Sequence, residues 1–338
     1  MTAERKMWPG HASQAERRRA RLDIVLGDIG ITSATLERYF FAVSRLAPVL
    51  EQVNTELELD EFIAEWIQEQ FEDGCPLHLV ADALSGLHHF EPYTKKKLTQ
   101  SWRLYSIWRR YEVPCRAPPL TKDIVLAMAG FSITHSELTM GALLLLGFHC
   151  LMRTGELLQI RPCDFICDNK VGLVSIPSSK SGVRHNVRES VTIRDPITLE
   201  TVLAMLEVRR AQGFENTPCW DRSGSAFREQ FRRILEELEL THLNFRPYSL
   251  RRGGATFEMQ THGLMERTLI RGRWKNSNVA RIYISDGLSM LPRLQMTMSS
   301  KFKVARFSSI FANEHHAYAE RREKLVYVAE LVLPWTSF

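Results

Sequence analysis

Cysteine is scarce in this chain: Cys75, Cys115, Cys150, Cys163, Cys167 and Cys219 are all it has among 338 residues, too thinly spread for the disulfide framework of a small secreted scaffold. Reduced thiols are expected. Cys163 and Cys167 form one close pair with His149 nearby in sequence, but no second cysteine pair and no HxxxH completes a zinc site, so no metal is expected. A long apolar run is lacking too. The stretch from Ala142 to Met152 is broken by Gly147 and His149 and is too short to cross a bilayer, and the polar N-terminus has no signal-peptide core. These features predict an intracellular protein with no membrane partner. Strong charge imbalance is also missing: 44 Lys and Arg against 39 Asp and Glu leave +5, which admits a nucleic-acid partner without selecting one. There is no internal repeat and no low-complexity tract.

What is present fits two compact domains, with 44% hydrophobic and 25% charged residues. Residues 1–30 read as a basic arm carrying Arg17, Arg18, Arg19 and Arg21. Residues 31–113 read as a bundle of short helices. Its clearest stripe is Leu59, Phe62, Ile63, Trp66, Ile67 and Phe71, ending at Gly74. In its last helix Leu98, Trp102, Tyr105 and Trp108 share one face. Lys95, Lys96, Lys97, Arg103, Arg109 and Arg110 fall elsewhere, as a solvated surface or a phosphate-contacting one. Pro114, Pro118 and Pro119 mark a stiff linker over 114–120.

A second domain is predicted over 121–290, with an extension over 291–338. Thr121 can cap a first helix, and Ser136 to His149 reads as a buried one that delivers Arg153. Val171–Ile176 and Val187–Ile193, rich in Val and Ile, flank a polar stretch and read as a β-hairpin. Helical patterns resume from Pro196 to Arg210 and from Ser225 to Leu238. The fold class is mainly α with a small β-sheet.

Cutting DNA without a metal takes a nucleophile, positive charge around the nonbridging phosphate oxygens, and an acid for the departing sugar oxygen. Arginine suits the second role because its planar fork donates paired hydrogen bonds and stays protonated. A lysine whose pKa is lowered by neighbouring arginines suits the third, and a tyrosine ester conserves the bond energy needed for rejoining. Four segments hold these residue types in order: Arg153-Thr154-Gly155-Glu156-Leu157-Leu158; Lys180 at the hairpin tip, 27 residues on; Tyr248 to Thr256, containing Arg251; and Gly272-Arg273-Trp274, with Tyr283 nine residues after the Trp.

Taken together they resemble the boxes of the tyrosine recombinase (phage integrase) family. The resemblance covers about Ser33 to Tyr283, loosely in its first half. It implies a two-domain DNA breaking-rejoining fold, with a helical SAM-like core-binding domain and a mixed α/β-hairpin catalytic domain. It also implies roles: Tyr283 as nucleophile, Arg153 and Arg251 as phosphate clamps, Lys180 as general acid, Glu156 as a supporting acid, and Trp274 as an indole donor. Tyr248 departs from the family's usual His. A phenol can donate to a phosphate oxygen, but with an ordinary pKa of about 10 it is no base near neutral pH.

The family's chemistry implies site-specific cleavage and rejoining through a 3′-phosphotyrosyl link, by four protomers on two duplexes, with neither metal nor ATP. The wording of the box from Arg251 to Thr256 is similar to integrases of eukaryotic mobile elements, which would imply a nuclear setting rather than cytoplasm or nucleoid. Two other readings stand beside this one: a type IB topoisomerase-like nicking-closing enzyme, and a domesticated DNA-binding protein that keeps the fold without cutting. Singly, each residue also has a structural explanation. Arg153 can balance a helix dipole, Lys180 can be a solvated turn residue, and Tyr283 can be an amphipathic core residue.

Overall fold

The computed structural model describes residues 13–19, 31–53, 55, 58–113, 116–168, 170–176, 179, 182, 188–309 and 311. The chain divides into two compact units, residues 1–115 and 116–338.

In the first unit four main helices, α1 (Ser33–Ser44), α2 (Glu58–Glu72), α3 (Leu77–Phe90) and α4 (Thr99–Tyr111), enclose one core. Thr32 caps α1 by accepting from the Thr35 amide. The stripe on α2 is buried at Leu59, Ile63, Trp66 and Ile67, and Gly74 takes the left-handed conformation (φ 69°) just past the helix end. The Asp60 side chain accepts from the amides of Gln100 and Ser101 and from the Ser101 hydroxyl, pinning the start of α4 to α2. On α4, Trp108 is buried and Trp102 and Tyr105 pack against the same core, while Arg103, Arg109 and Arg110 are exposed. Lys95 and Lys96 lie exposed on a 3₁₀ turn (Pro92–Lys96) ahead of α4, and the Lys97 ammonium lies 4.9 Å from the centre of the Tyr93 ring. Of the N-terminal arginines, Arg18 and Arg19 are exposed on a short helix (Gln14–Arg19), and Arg21 lies outside the described residues.

The second unit is built around α6 (Leu138–His149), apolar all round and buried from Met140 to His149. It packs against α5 (Lys122–Thr134), α8 (Pro196–Ala211) and α10 (Tyr248–His262). Two details differ from the sequence expectation. Ser136 adopts a left-handed backbone (φ 61°), so the helix begins at Leu138 rather than Ser136. Thr121 stands at the N-cap of α5 with extended backbone, but its hydroxyl makes no capping bond.

The sheet has three antiparallel strands in the order β1 (Phe165–Cys167), β2 (Gly172–Ile176), β3 (Glu189–Ile193). The expected pair is β2 and β3, in register Val174 to Val191 and Ile176 to Glu189, with Val174, Ile176, Val191 and Ile193 turned into the core. At three residues, β1 is too short to leave a period in the sequence. Lys180, at the expected hairpin tip, lies outside the described residues, as does Val187.

Helices α8 and α9 (Gly224–Glu237) are capped by Asp195 and Ser223, and α9 buries Phe227, Phe231, Ile234 and Leu235. The second core also draws in residues beyond 290. Val304, on a helix over 298–309, and Phe311 are buried in it, and Gly130 on α5 meets the Phe307 backbone so closely that no side chain fits between them. Among the described residues no helix is long and apolar enough to cross a membrane.

Candidate active site

Arg153, Glu156, Tyr248, Arg251, Trp274 and Tyr283 come from three separated stretches of the second unit, and the fold joins them through a linked set of contacts. The first stretch follows α6. Leu151 takes a left-handed backbone (φ 49°), uncommon for a branched side chain, and two guanidiniums hold its carbonyl: Arg251 Nη1 donates to it, as does Arg273 Nη2 at 3.4 Å. Arg153 then begins the short helix α7 (Thr154–Leu157). Its amide donates to Glu156 Oε2 at 2.8 Å and its Nη1 to Oε1 at 2.6 Å, so one carboxylate caps the helix and orients the arginine. Glu156 is only 4% exposed, which concentrates the ion pair away from water.

The second stretch is α10, where close packing accounts for Gly253 and Gly254. A Cβ at Gly253 would strike the Leu120 carbonyl and one at Gly254 the Phe148 carbonyl, so both must be glycine for α10 to lie this close to its neighbours. That approach inserts Arg251, 1% exposed, beneath the site. Its Nη2 donates to the Gly272 carbonyl at 2.5 Å, and its guanidinium lies 4.8 Å from the Trp274 ring centre and 5.3 Å from that of Tyr283. Burial first, then the Arg153 and Arg273 cations, push its pKa down to about 10, still charged at neutral pH.

The third stretch runs from α11 (Met265–Gly272) to Tyr283. A Cβ at Gly272 would overlap the Trp274 ring, so glycine there lets the indole fold back against Arg251 and Tyr283. Trp274 and Tyr283 have ring centres 4.6 Å apart, and Tyr283 and Tyr248 5.4 Å apart. Thr256 of α10 steadies the backbone just after Tyr283: its hydroxyl accepts from the Ser285 amide at 3.1 Å and donates to the Arg252 carbonyl at 3.0 Å. Tyr248 is 41% exposed; burial, then its hydrogen bond with the Tyr283 hydroxyl, pushes its pKa above the ordinary value, so it keeps its proton at neutral pH.

Two further arginines, lying within the same segments of sequence, belong to this cluster. Arg273, in a left-handed backbone (φ 55°), meets Glu156 Oε2 at 2.5 Å and Glu189 of β3 at 3.2 Å. Arg252 is buried beside Arg251. The sequence signal for both was simply another arginine adjoining a box residue. The result is a region rich in donors. Arg251 Nε, Arg252 Nε and Nη1, Arg273 Nη1 and Trp274 Nε1 are all buried without a hydrogen-bond acceptor. Buried N–H groups are normally paired, and a cluster of unpaired donors and cations is the complement of an anion with several oxygens.

Among the described residues no group of three or more His, Cys, Asp or Glu side chains could hold a metal, and Cys75, Cys150, Cys163, Cys167 and Cys219 are free thiols. Burial pushes the Cys150 thiol up to about 11.

No known family profile and no curated protein matches the chain. Solved structures do. A Tn1549 transposon integrase in complex with transposon right end DNA aligns at TM-score 0.55 and 13% identity, over 87% of this chain and 98% of that one. The XerH site-specific recombinase bound to a palindromic difH substrate aligns at TM-score 0.51 and 17% identity, over 83% of this chain and 82% of the other. A lambda integrase tetramer bound to a Holliday junction aligns at TM-score 0.50 and 15% identity, over 82% and 79%. Mainly helical with a small antiparallel sheet, the chain thus has the fold of the tyrosine recombinases and integrases.

Proposed function

We propose that this protein is a site-specific DNA recombinase or integrase that cuts and rejoins duplex DNA through Tyr283. The observation that carries the reading is the setting of the Tyr283 phenol, beside Trp274 and over the buried Arg251, among N–H donors that lack acceptors. Such a site stabilises the extra negative charge of a pentacoordinate phosphate because its donors are already fixed and water is largely excluded.

In the proposed reaction the Tyr283 hydroxyl loses its proton to solvent, its oxygen attacks the scissile phosphorus and the bond to the 5′ oxygen breaks. The leaving oxygen takes a proton from Lys180 and departs as a 5′-hydroxyl, leaving DNA joined to Tyr283 as a 3′-phosphotyrosyl ester. Attack by a 5′-hydroxyl from a partner strand reverses the step and returns the tyrosine. Arg153 and Arg251 neutralise the nonbridging oxygens, Trp274 donates from its indole, and Glu156 holds Arg153 in position. Duplex DNA is the partner, with Lys95, Lys96, Lys97, Arg103, Arg109 and Arg110 of the first unit meeting backbone phosphates. Strand exchange calls for four protomers on two duplexes, and the lambda integrase structure is of a tetramer bound to a Holliday junction.

A covalent-trapping assay tests this. Purified protein is mixed with randomised duplexes nicked so that the 5′-hydroxyl fragment is lost, and denaturing gels compare wild type with Tyr283→Phe. A protease-sensitive adduct in wild type alone supports the reading. Tyr248 favours one competing reading, since a phenol that keeps its proton cannot act as base: a fold kept for binding DNA without cutting it. Normal duplex binding with no adduct would select that alternative.

A further inference from the structure

Among the described residues, the other buried or half-buried arginines around the core of the second unit have identified counterparts. Arg209 bonds Asp221 and the Pro218 carbonyl, Arg251 bonds two carbonyls, Arg273 bonds Glu156, and Arg271 bonds the His149 carbonyl beside Glu258. Arg252 is different. It is 3% exposed, its Nε and Nη1 have no acceptor, and no acid pairs with it among the described residues. A buried cation in that condition costs stability rather than adding to it, so packing alone does not account for it.

Its surroundings point to the missing counterpart. The charged and titratable groups that it feels are Arg116, a second cation, and the two phenols Tyr248 and Tyr283. Burial first, then Arg116, hold its pKa below the ordinary arginine value. Arg116 is exposed and begins the second unit. A buried guanidinium with unpaired nitrogens, acted on by an exposed second cation and by no acid, is a setting suited to an anion.

We propose that Arg252, assisted by Arg116, is a second phosphate-binding point of this unit, holding the backbone phosphate that adjoins the one attacked by Tyr283. It rests on the reading of Tyr283 as a nucleophile toward DNA. Arg252 contacts a phosphate that does not react, so it acts on register: with one neighbouring phosphate fixed, the scissile phosphorus is presented to the tyrosine oxygen at a set distance.

The test uses the full-length chain and measures duplex-DNA affinity against salt concentration for wild type, Arg252→Met, Arg252→Lys and Arg116→Gln. Arg252→Met is expected to raise the melting temperature while weakening binding about tenfold near 0.15 M salt, with the slope of log affinity against log salt smaller by about one contact. Arg252→Lys should keep the slope, and Arg116→Gln, changing only an exposed side chain, should weaken binding in the same direction. A single methylphosphonate at the adjoining phosphate should weaken wild type but leave Arg252→Met unchanged. A lower melting temperature for Arg252→Met, or a slope equal to wild type, overturns the proposal, because the arginine would then be structural or would touch no phosphate. Adduct formation is scored separately: a reduced slope in Arg252→Met with no adduct in wild type leaves the anion site standing and removes the cutting, and the converse pattern does the reverse.

Discussion

Arg273 reaches Glu156 at 2.5 Å, joining the segment before Tyr283 to the segment after α6 through one buried carboxylate. The same carboxylate holds Arg153 at 2.6 Å. Replacing Glu156 with Gln would leave Arg153, Arg251 and Arg273 close together without their shared anion. Such a change is expected to cost about 3 kcal/mol in urea unfolding and to abolish the covalent adduct. An unchanged unfolding midpoint would show that the bridge carries no weight.

Arg251 sits in a geometry only a guanidinium can satisfy, with two carbonyls bonded by two separate nitrogens and an aromatic ring on its face. Arg251→Lys keeps the charge yet should lower the adduct rate by at least about a hundredfold, with duplex binding within a few-fold of wild type. Single-turnover trapping beside an equilibrium binding curve separates the two quantities. Equal losses in both would mean that Arg251 serves ground-state binding.

Tyr248 holds its proton more firmly than a free phenol because of its burial and its bond with Tyr283. An imidazole in its place can accept a proton near neutral pH. Tyr248→His is therefore expected to speed adduct formation about tenfold at pH 7, with the gain shrinking below pH 6 as the imidazole becomes charged. A rate that is flat in pH and equal to wild type would indicate that no proton passes through this position.

His149 is buried beside Asp195 and against the Phe148 and Phe257 rings, and burial lowers its pKa from 6.5 to about 4. The unfolded chain takes up this proton at a higher pH than the folded one does. The contribution is thus complete above about 6.5 and lost as pH falls toward about 4. Between pH 7 and 4.5 wild type should lose about 2 kcal/mol more than His149→Gln, read from urea denaturation at the two pH values. Parallel profiles for the two proteins would rule this out.

Gly254 faces the Phe148 carbonyl with no room for a methyl group. Gly254→Ala should destabilise the second unit by about 3 kcal/mol, by forcing α10 away from α6 and withdrawing Arg251 with it. Adduct formation should fall further than stability alone explains. Gly155, with open space around it, is the control position, where alanine should change the melting temperature little.

The parts of this architecture legible in the sequence are those with a period or a punctuation mark. The α2 stripe ending at Gly74, the all-apolar α6 and the alternation of β2 and β3 each left such a pattern. Three-residue β1 left none. The start of α6 was misplaced because a left-handed Ser136 looks like an ordinary helix cap in one dimension. Within the site, the boxes could be located, but the bond from Arg273 to Glu156 spans most of the second unit and has no local signature. Arg252 escaped notice for a related reason: an arginine is unusual only when its burial and lack of an acceptor are known together.

Val304, on the helix over 298–309, and Phe311 complete the second core, and both follow Tyr283 in the chain. This gives the unit an order of completion during synthesis. Every residue proposed to react has been added to the chain before the interior that supports it can be sealed. A nascent chain that has just passed Tyr283 therefore carries the proposed reactive set on an unfinished scaffold, and on the reading proposed above any cutting of DNA waits for the segment that follows.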